Sequence, residues 1–208
     1  ECLQAAQQSA HYKSALGANQ GRAVAAGFWH NGAGVSSASL HMNSDGTAAL
    51  ATGSVDLSGT RIALAMMAAE ELGIPVDQVS SVVADTESVG FSGNSAGSRT
   101  INATGQAVVE ATRDVIEQMK QRAASGWNVT ADQVEWQDGA ALNQITGDTL
   151  TVAEICRAAD STGGPIGGRY SHSAVGGLGP SFAVHICDVE VDPDTGKVTL
   201  LRYTAVQD

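Results

Sequence analysis

At 208 residues, with 43% hydrophobic and 16% charged side chains, the chain has the length and composition of an ordinary globular protein with a sizeable core. Its net charge of −11 excludes the basic face that a nucleic-acid partner requires. Glycine is abundant, at 24, while aromatic residues make up only 4%, which favours tight turns and close backbone packing over aromatic clusters.

The three cysteines, Cys2, Cys156 and Cys187, are widely spaced and match no C-x-x-C or Cys/His ligand pattern. That argues against an iron–sulfur cluster or structural zinc held by this chain alone, and it fits a reducing, cytoplasmic setting. No secretory signal is read, and the longest apolar run, Ile62 to Ala69, is too short to span a bilayer. The chain opens at Glu1 and stops at Asp208 while still reading as structured, so the expectation is a piece of a longer protein.

In chain order, Glu1 to Lys13 reads as a polar helix. Gly21 to His30 and Val35 to Met42 read as strands joined by an Asn-Gly turn at 31–32, and Thr47 to Thr52 as a third strand of the same antiparallel meander. A glycine- and hydroxyl-rich loop, Ser54-Val-Asp-Leu-Ser-Gly-Thr60, then leads into a helix from Thr60 to Leu72. That helix is apolar nearly all round and is expected to be buried, with Met66 and Met67 in the core. Gly73 and Pro75 end it.

Val79 to Ala84 is a short strand ending at Asp85-Thr86. A second loop follows, Gly90-Phe-Ser-Gly-Asn-Ser-Ala-Gly-Ser-Arg-Thr100, and opens a helix from Thr100 to Ala123. Within that helix Ile101, Thr104, Val108, Ala111, Val115 and Met119 form a stripe at three-to-four spacing. Gly105 points to close approach by another backbone or a ligand.

Trp127 to Leu142 holds a hairpin around Asp138-Gly139, and Thr151 with Glu154 forms a capping box for a short helix through Ala159. Gly163–Gly168 and Gly176–Gly179 read as loops. Phe182 to Val191 and Val198 to Tyr203 are strands joined by the Asp192–Lys197 turn. Strands and hairpins set apart from helices place the chain in the α+β class, with sheets packed against helices.

Both glycine loops end at a helix N-terminus. The first amides of a helix lack intrahelical acceptors and carry a partial positive charge, and small residues let an anion approach them. Two such ends could bracket a phosphate-bearing cofactor. The plainer reading is ordinary capping by Ser and Thr.

The chain resembles the molybdenum-cofactor-binding large subunit of the molybdenum hydroxylases, the family of xanthine dehydrogenase, aldehyde oxidase and aerobic carbon monoxide dehydrogenase. GSVDLSGTR at 53–61, AAEELGIP at 68–75, ADTES at 84–88 with SAGSRT at 95–100, and FAVHICDVEVDPDTGKV at 182–198 carry the likeness in family order, with GQAVVEA at 105–111 as a weaker match. The resemblance implies a partial molybdenum-cofactor-binding domain over 1–208, divisible at 124/125.

It also implies molybdopterin, in a dinucleotide form, as the cofactor, with FAD and 2Fe-2S clusters on partner subunits. Ser95, Ser98 and Thr100 align with the family's hydroxyl ligands to the cofactor phosphates. Gly97 and Arg99 lie among them, and Arg99 is either a bidentate phosphate partner or a solvent-facing arginine. Ser58, Gly59 and Thr60 align with the loop that approaches the molybdenum centre. There the family usually has Gly-Gln-Gly and this chain has Leu57-Ser58-Gly59, one residue shorter. The glutamate that serves as general base in the family lies beyond the chain, so no catalytic residue and no metal ligand is assigned here, and Asp56, Asp85 and Glu87 are not candidates for that base.

The implied activity is hydroxylation of a carbon centre with oxygen from water, the substrate being a small molecule of a class left open among purines, aldehydes, carbon monoxide and acyl thioesters. Expected partners are the remaining domains of the large subunit and its FAD-binding and iron–sulfur subunits. Two other readings are a non-catalytic cofactor-binding or interaction domain, and an unrelated α+β enzyme using the two helix ends for a phosphate ligand. His30, His41, His172 and His185 are scattered and read as hydrogen-bonded or surface residues. Phe28-Trp29-His30 reads as an aromatic strand end in the core, with the lining of a substrate funnel as the alternative.

Overall fold

The computed structural model describes residues 1–83, 89–174 and 179–208. In chain order these form helices α1 (Cys2–Gln8) and α2 (Ala10–Lys13), then strands β1 (Gln20–His30), β2 (Gly34–Met42) and β3 (Ala48–Thr52). Helix α3 (Thr60–Leu72), strand β4 (Val79–Val83) and a π-helical turn (Thr100–Thr104) that runs into helix α4 (Gly105–Trp127) come next. Strands β5 (Val134–Gln137), β6 (Ala140–Asn143) and β7 (Thr149–Thr151) precede helices α5 (Val152–Arg157) and α6 (Ala159–Thr162). Strands β8 (Gly167–Ala174), β9 (Pro180–Val191) and β10 (Val198–Gln207) close the chain. The class is α+β, as the sequence indicates. Asp85, Thr86, Glu87, Gly176 and the ADTES stretch lie outside the described residues.

The chain divides into two compact units, Gly32–Gly177, and Glu1–Asn31 with Leu178–Asp208. In the unit made from both ends, β9 lies between β1 and β10 in an antiparallel sheet. The pairing of β1 runs from Gln20 opposite Glu190 to His30 opposite Pro180. β1 therefore pairs with β9 and not with β2, and of the expected meander only the antiparallel β2–β3 pair forms. An Asn-Gly hairpin turn at 31–32 would need a hydrogen-bonded return, and the Gly32 amide is committed instead to Gly97 O in the second glycine loop (3.2 Å).

Ala6 of α1 packs against Val184 and Ile186 on one sheet face. The expected first helix is broken at Ser9, whose extended backbone ends α1 and whose hydroxyl accepts from the Tyr12 amide to start α2. Phe28 and Trp29 are 61% and 63% exposed, so the strand end is not a core element. Phe28 instead meets His30 and Phe182 ring to ring at the surface.

The Gly32–Gly177 unit is built on a sheet of order β4-β3-β2-β8. β2 runs antiparallel to β3 and β8, and β3 runs parallel to β4 with α3 as the crossover. Leu40 and Leu50 of this sheet are fully buried, with Leu64 and Leu72 of α3 and Val108, Ala111, Val115 and Met119 of α4 in the same core. From Thr104 to Met119 the expected stripe is thus buried as periodicity indicates, while Ile101, in the π-helical turn, is 38% exposed.

α3 is only half as expected. Leu64, Ala65, Ala68 and Leu72 are buried, but Ile62 and Met66 are 55% and 56% exposed, because the helix is covered on one side only. Gly73 takes the left-handed stop (φ 75°) and its amide bonds back to Ala69 O, as helix ends of this kind require. β8 has no counterpart in the sequence reading, since glycine and serine hide its alternation. Gly105 makes room for a side chain, as a Cβ there would lie 2.7 Å from Met67 Sδ.

β5, β6 and β7 form a separate small sheet. Its hairpin turn has positive φ at Asp138 (47°) and Gly139 (75°), as primed turns demand. The Thr151/Glu154 capping box is complete, with both reciprocal bonds in place.

Candidate functional site

The first loop enters α3 through two consecutive left-handed residues, Ser58 (φ 60°) and Gly59 (φ 80°). The first two donors at this helix end are not bare. The Thr60 amide and hydroxyl both donate to Leu57 O, at 3.4 and 2.6 Å, and the Arg61 amide donates to Asp56 Oδ1 at 3.1 Å. Asp56 thus caps the helix and sets a carboxylate where an incoming anion would lie. The bracketing of one phosphate by two open helix ends does not hold for α3. Thr60 is 6% exposed and turned inward, while Ser58 remains exposed.

The second loop is folded around Arg99, which is 7% exposed. Its five guanidinium hydrogens all find acceptors: Nε donates to Ala33 O (3.0 Å), Nη1 to Gly93 O (2.9 Å) and Asn94 O (3.0 Å), and Nη2 to Val35 O (2.7 Å) and Ser36 Oγ (3.1 Å). Gly32, Gly34 and Gly93 make the space, since a Cβ on any of them would crowd this side chain. Arg99 is therefore neither a solvent-facing residue nor a fork open to phosphate. It is a buried cation held by neutral oxygens, with no carboxylate paired to it among the described residues.

Around that charge the loop backbone turns outward. Gly97 and Ser98 both have φ 59°, and Asn94, Ala96, Gly97 and Ser98 are exposed. Among the described residues the amides of Asn94 to Ser98 have no acceptor. Successive free amides in such a turn form an anion-binding concavity. Ser95 and Thr100 are within 2.8 Å of one another, hydroxyl to hydroxyl.

The segment after Arg99 begins as a π-helical turn, a local widening common at functional positions. It carries Thr104, fully buried, whose Oγ1 lies 3.1 Å from Ser36 Oγ and 2.7 Å from Ser54 Oγ. Ser54 opens the first loop, and its neighbour Gly53 lies where a Cβ would meet Gly90 O (3.0 Å) and Ser92 Oγ (3.2 Å). The two loops therefore meet at Gly53-Ser54 and Gly90–Ser92. No hydrogen bond among the described residues joins Ser58, Gly59 or Thr60 directly to Ser95, Gly97, Ser98 or Thr100.

Sequence reading missed Ser36, Ser54 and Thr104. The available signal was confined to Thr104, a hydroxyl on the stripe at three-to-four spacing, which a period count alone treats as tolerated polarity.

The histidines behave as expected. His172 Nε2 is 2.8 Å from Ala103 O and His185 Nδ1 is 2.5 Å from the Tyr203 hydroxyl. Among the described residues no group of three or more His, Cys, Asp or Glu side chains could hold a metal ion.

A residue set of this kind fits the phosphate-bearing part of a cofactor. Hydroxyls and free amides can hold anionic oxygens, a buried guanidinium offsets their charge, and a Cβ at Gly97 would meet nothing within 4 Å, so the approach is open.

A family model described as molybdopterin cofactor-binding domain matches residues 2–208. The aldehyde oxidoreductase molybdenum-binding subunit PaoC of Escherichia coli strain K12 is 30% identical over 191 residues, which take in 89% of this chain and 24% of that protein. The 6-hydroxypseudooxynicotine dehydrogenase complex subunit gamma of Paenarthrobacter nicotinovorans is 26% identical over 156 residues, 70% of this chain and 19% of that one. Reconstituted CO dehydrogenase from Oligotropha carboxidovorans shares the fold, with a TM-score of 0.82 and 20% identity over 91% of this chain and 26% of its own.

Proposed function

The chain belongs to the molybdopterin cofactor-binding domain family, and from that premise we propose that it forms one wall of the cofactor site in a molybdenum hydroxylase large subunit. The observation that carries the proposal is the second loop, where, among the described residues, five consecutive amides have no acceptor and the buried guanidinium behind them has no carboxylate partner. A dinucleotide form of the cofactor brings phosphates, and phosphate is what such a loop recognises. Ser98 and the amides of Asn94 to Ser98 would hold the phosphate oxygens, Ser95 and Thr100 would add hydroxyls, and Arg99 would supply charge from behind.

When bound, the cofactor supplies the redox chemistry of the hydroxylation. This chain's part is to bind and orient it. Ser58 stands exposed on the first loop, where its hydroxyl, in place of the family's amide, would reach the molybdenum-bearing end of the cofactor through a water. Among the substrate classes, aldehydes draw support from PaoC, whose name records that activity. The flavin- and iron–sulfur-bearing partners of the proposal draw support from the relatives' being named as subunits. A cytoplasmic location agrees with three unpaired cysteines. Among the described residues no helix is long and apolar enough to cross a membrane.

A second reading has its own support. Asp56 and Ser58 occupy the first loop where the family's amide contact is absent, and a non-catalytic cofactor-binding module would tolerate that loss. The experiment is metal and pterin analysis of the full-length gene product, expressed with its genomic neighbours. Molybdenum near one atom per large subunit, with aldehyde-dependent dye reduction, supports the enzyme. Stoichiometric cofactor without turnover on any aldehyde or purine supports the module, and a well-folded complex without molybdenum refutes both.

A further inference from the structure

The buried polar chain between the two loops contains a hydrogen that is not accounted for. Arg99 Nη2 is only a donor, so Ser36 Oγ accepts from it (3.1 Å). Ser36 and Thr104 share one contact and Thr104 and Ser54 another. Three hydroxyls bring three hydrogens to these two contacts, and each contact uses one. One hydrogen is left over, and it can sit on Ser36, on Thr104 or on Ser54.

Ser36 and Thr104 are fully buried, whereas Ser54 is 5% exposed and stands at the mouth of the first loop. Among the described residues no further acceptor is within reach of any of the three hydroxyls. A stranded O–H at either fully buried position would carry the whole desolvation penalty. A charged donor at one end also polarises a chain in a single direction, each hydroxyl that accepts becoming the better donor to the next. Both arguments select the same arrangement: Arg99 to Ser36, Ser36 to Thr104, Thr104 to Ser54.

We infer that Ser54 is a cofactor-binding residue: its hydroxyl hydrogen, aimed outward by Arg99 through Ser36 and Thr104, donates to an oxygen of the bound molybdopterin group. Thr104 and Ser36 are then positioning residues. They hold the two loops in register and fix which way Ser54 points its hydrogen. The inference rests on the cofactor reading above and extends it to the first loop, where Asp56 takes the Arg61 amide and Ser54 carries the hydrogen left over.

The test uses the full-length subunit with its partners, in five forms: wild type, Ser54→Ala, Thr104→Val, Thr104→Ser and the Ser54→Ala/Thr104→Val double variant. Cofactor retention is read as molybdenum and pterin remaining per subunit over timed dialysis, alongside the unfolding midpoint of each protein. Ser54→Ala and Thr104→Val are each expected to release cofactor about tenfold faster, the size of one hydrogen bond to an anionic acceptor. The double variant is expected to be no faster than the worse single one, since both substitutions break the same chain, and Thr104→Ser is expected to retain cofactor like wild type.

Wild-type retention by Ser54→Ala overturns the inference, and so do losses that multiply in the double variant. Thr104→Val matching Ser54→Ala in release while the two differ in midpoint supports it, because packing damage alone would make release follow stability. Wild-type protein that binds no molybdenum brings down the cofactor reading as well. Wild-type protein that binds it, with Ser54→Ala unaffected, overturns only the role of Ser54.

Discussion

A Cβ placed on Gly168 would lie 2.3 Å from the carbonyl oxygen of Ala111 and 3.0 Å from Val115 Cγ2. Gly168 on β8 therefore sets how closely α4 crosses the sheet, and α4 brings Thr104 to the loops at its N-terminal end. Gly168→Ala must move backbone against backbone and is expected to cost about 3 kcal/mol. Gly105→Ala meets only the far end of the Met67 side chain, which can rotate away, and is expected to stay within about 1 kcal/mol of wild type. Thermal unfolding of the full-length subunit compares them, and equal losses would contradict this account.

Arg99→Lys tests the second loop. A lysine has one point of charge and three donors where the guanidinium offers a planar fork of five. At least two of the five acceptors that Arg99 now satisfies would lose their donor in a buried site. The expected cost is about 3 kcal/mol, with hydrogen exchange rising at the Gly93 and position-99 amides, which donate to Val35 O and Ala96 O. Unchanged exchange at those amides would show that the loop stands without Arg99.

Asp188 and Arg22 give a prediction in pH. Arg22 Nε and Nη2 donate to the two Asp188 carboxylate oxygens at 2.7 and 2.8 Å, and His11 Nε2 lies 3.1 Å from Oδ2. The Arg22 bonds, helped by His11, hold the Asp188 carboxyl at about 2, below its ordinary value of 3.8. A depressed carboxylate stabilises the fold above the unfolded-state value and loses that contribution as pH falls through the folded one. The attachment of α1 and α2 to the sheet should hold down to 3.8 and weaken from there toward about 2. Acid titration by circular dichroism of wild type against Asp188→Asn isolates it. The variant, less stable than wild type above 3.8, should lack this step, and parallel curves would remove the assignment.

Burial raises the Cys156 thiol to about 11. The thiolate is the reactive form, so Cys156 should resist alkylation at pH 8 until the unit unfolds, while half-buried Cys2 and Cys187 react first. Peptide mass spectrometry over a time course of iodoacetamide reads the order. Early modification of Cys156 would mean that the core around α5 opens readily.

Much of this architecture is legible from local chemistry. Gly73, the Asp138-Gly139 turn and the Thr151/Glu154 box each announce an element boundary, because one residue type satisfies a backbone requirement that few others can. Pairing partners are another matter. Residues 20–30 read as a strand, but nothing near them in sequence says that Pro180 to Glu190 lies opposite, and the Asn-Gly at 31–32 suggests a nearer partner.

The site divides the same way. Ser95 to Thr100 can be picked out by motif, yet the inward turn of Arg99 depends on carbonyls of Ala33 and Val35, contributed by the connector into β2 and by β2 itself. The roles of Ser36 and Ser54 depend on Thr104, a contact that no count of periods along one element contains.

The sheet made from the two ends of the chain also has a consequence for synthesis. β1 finishes at His30 and its partner β9 begins at Pro180, so roughly 150 residues must leave the ribosome between the two, on the order of ten seconds or more at ordinary elongation rates. For that interval β1 lacks its β9 partner, and its apolar run Val24-Ala-Ala-Gly-Phe-Trp29 is open to mispairing. The Gly32–Gly177 unit can be complete before the strand that precedes it finds its place. Production of this protein should therefore depend on whatever shields nascent chains, and slowing translation should lower its soluble yield even with every residue unchanged.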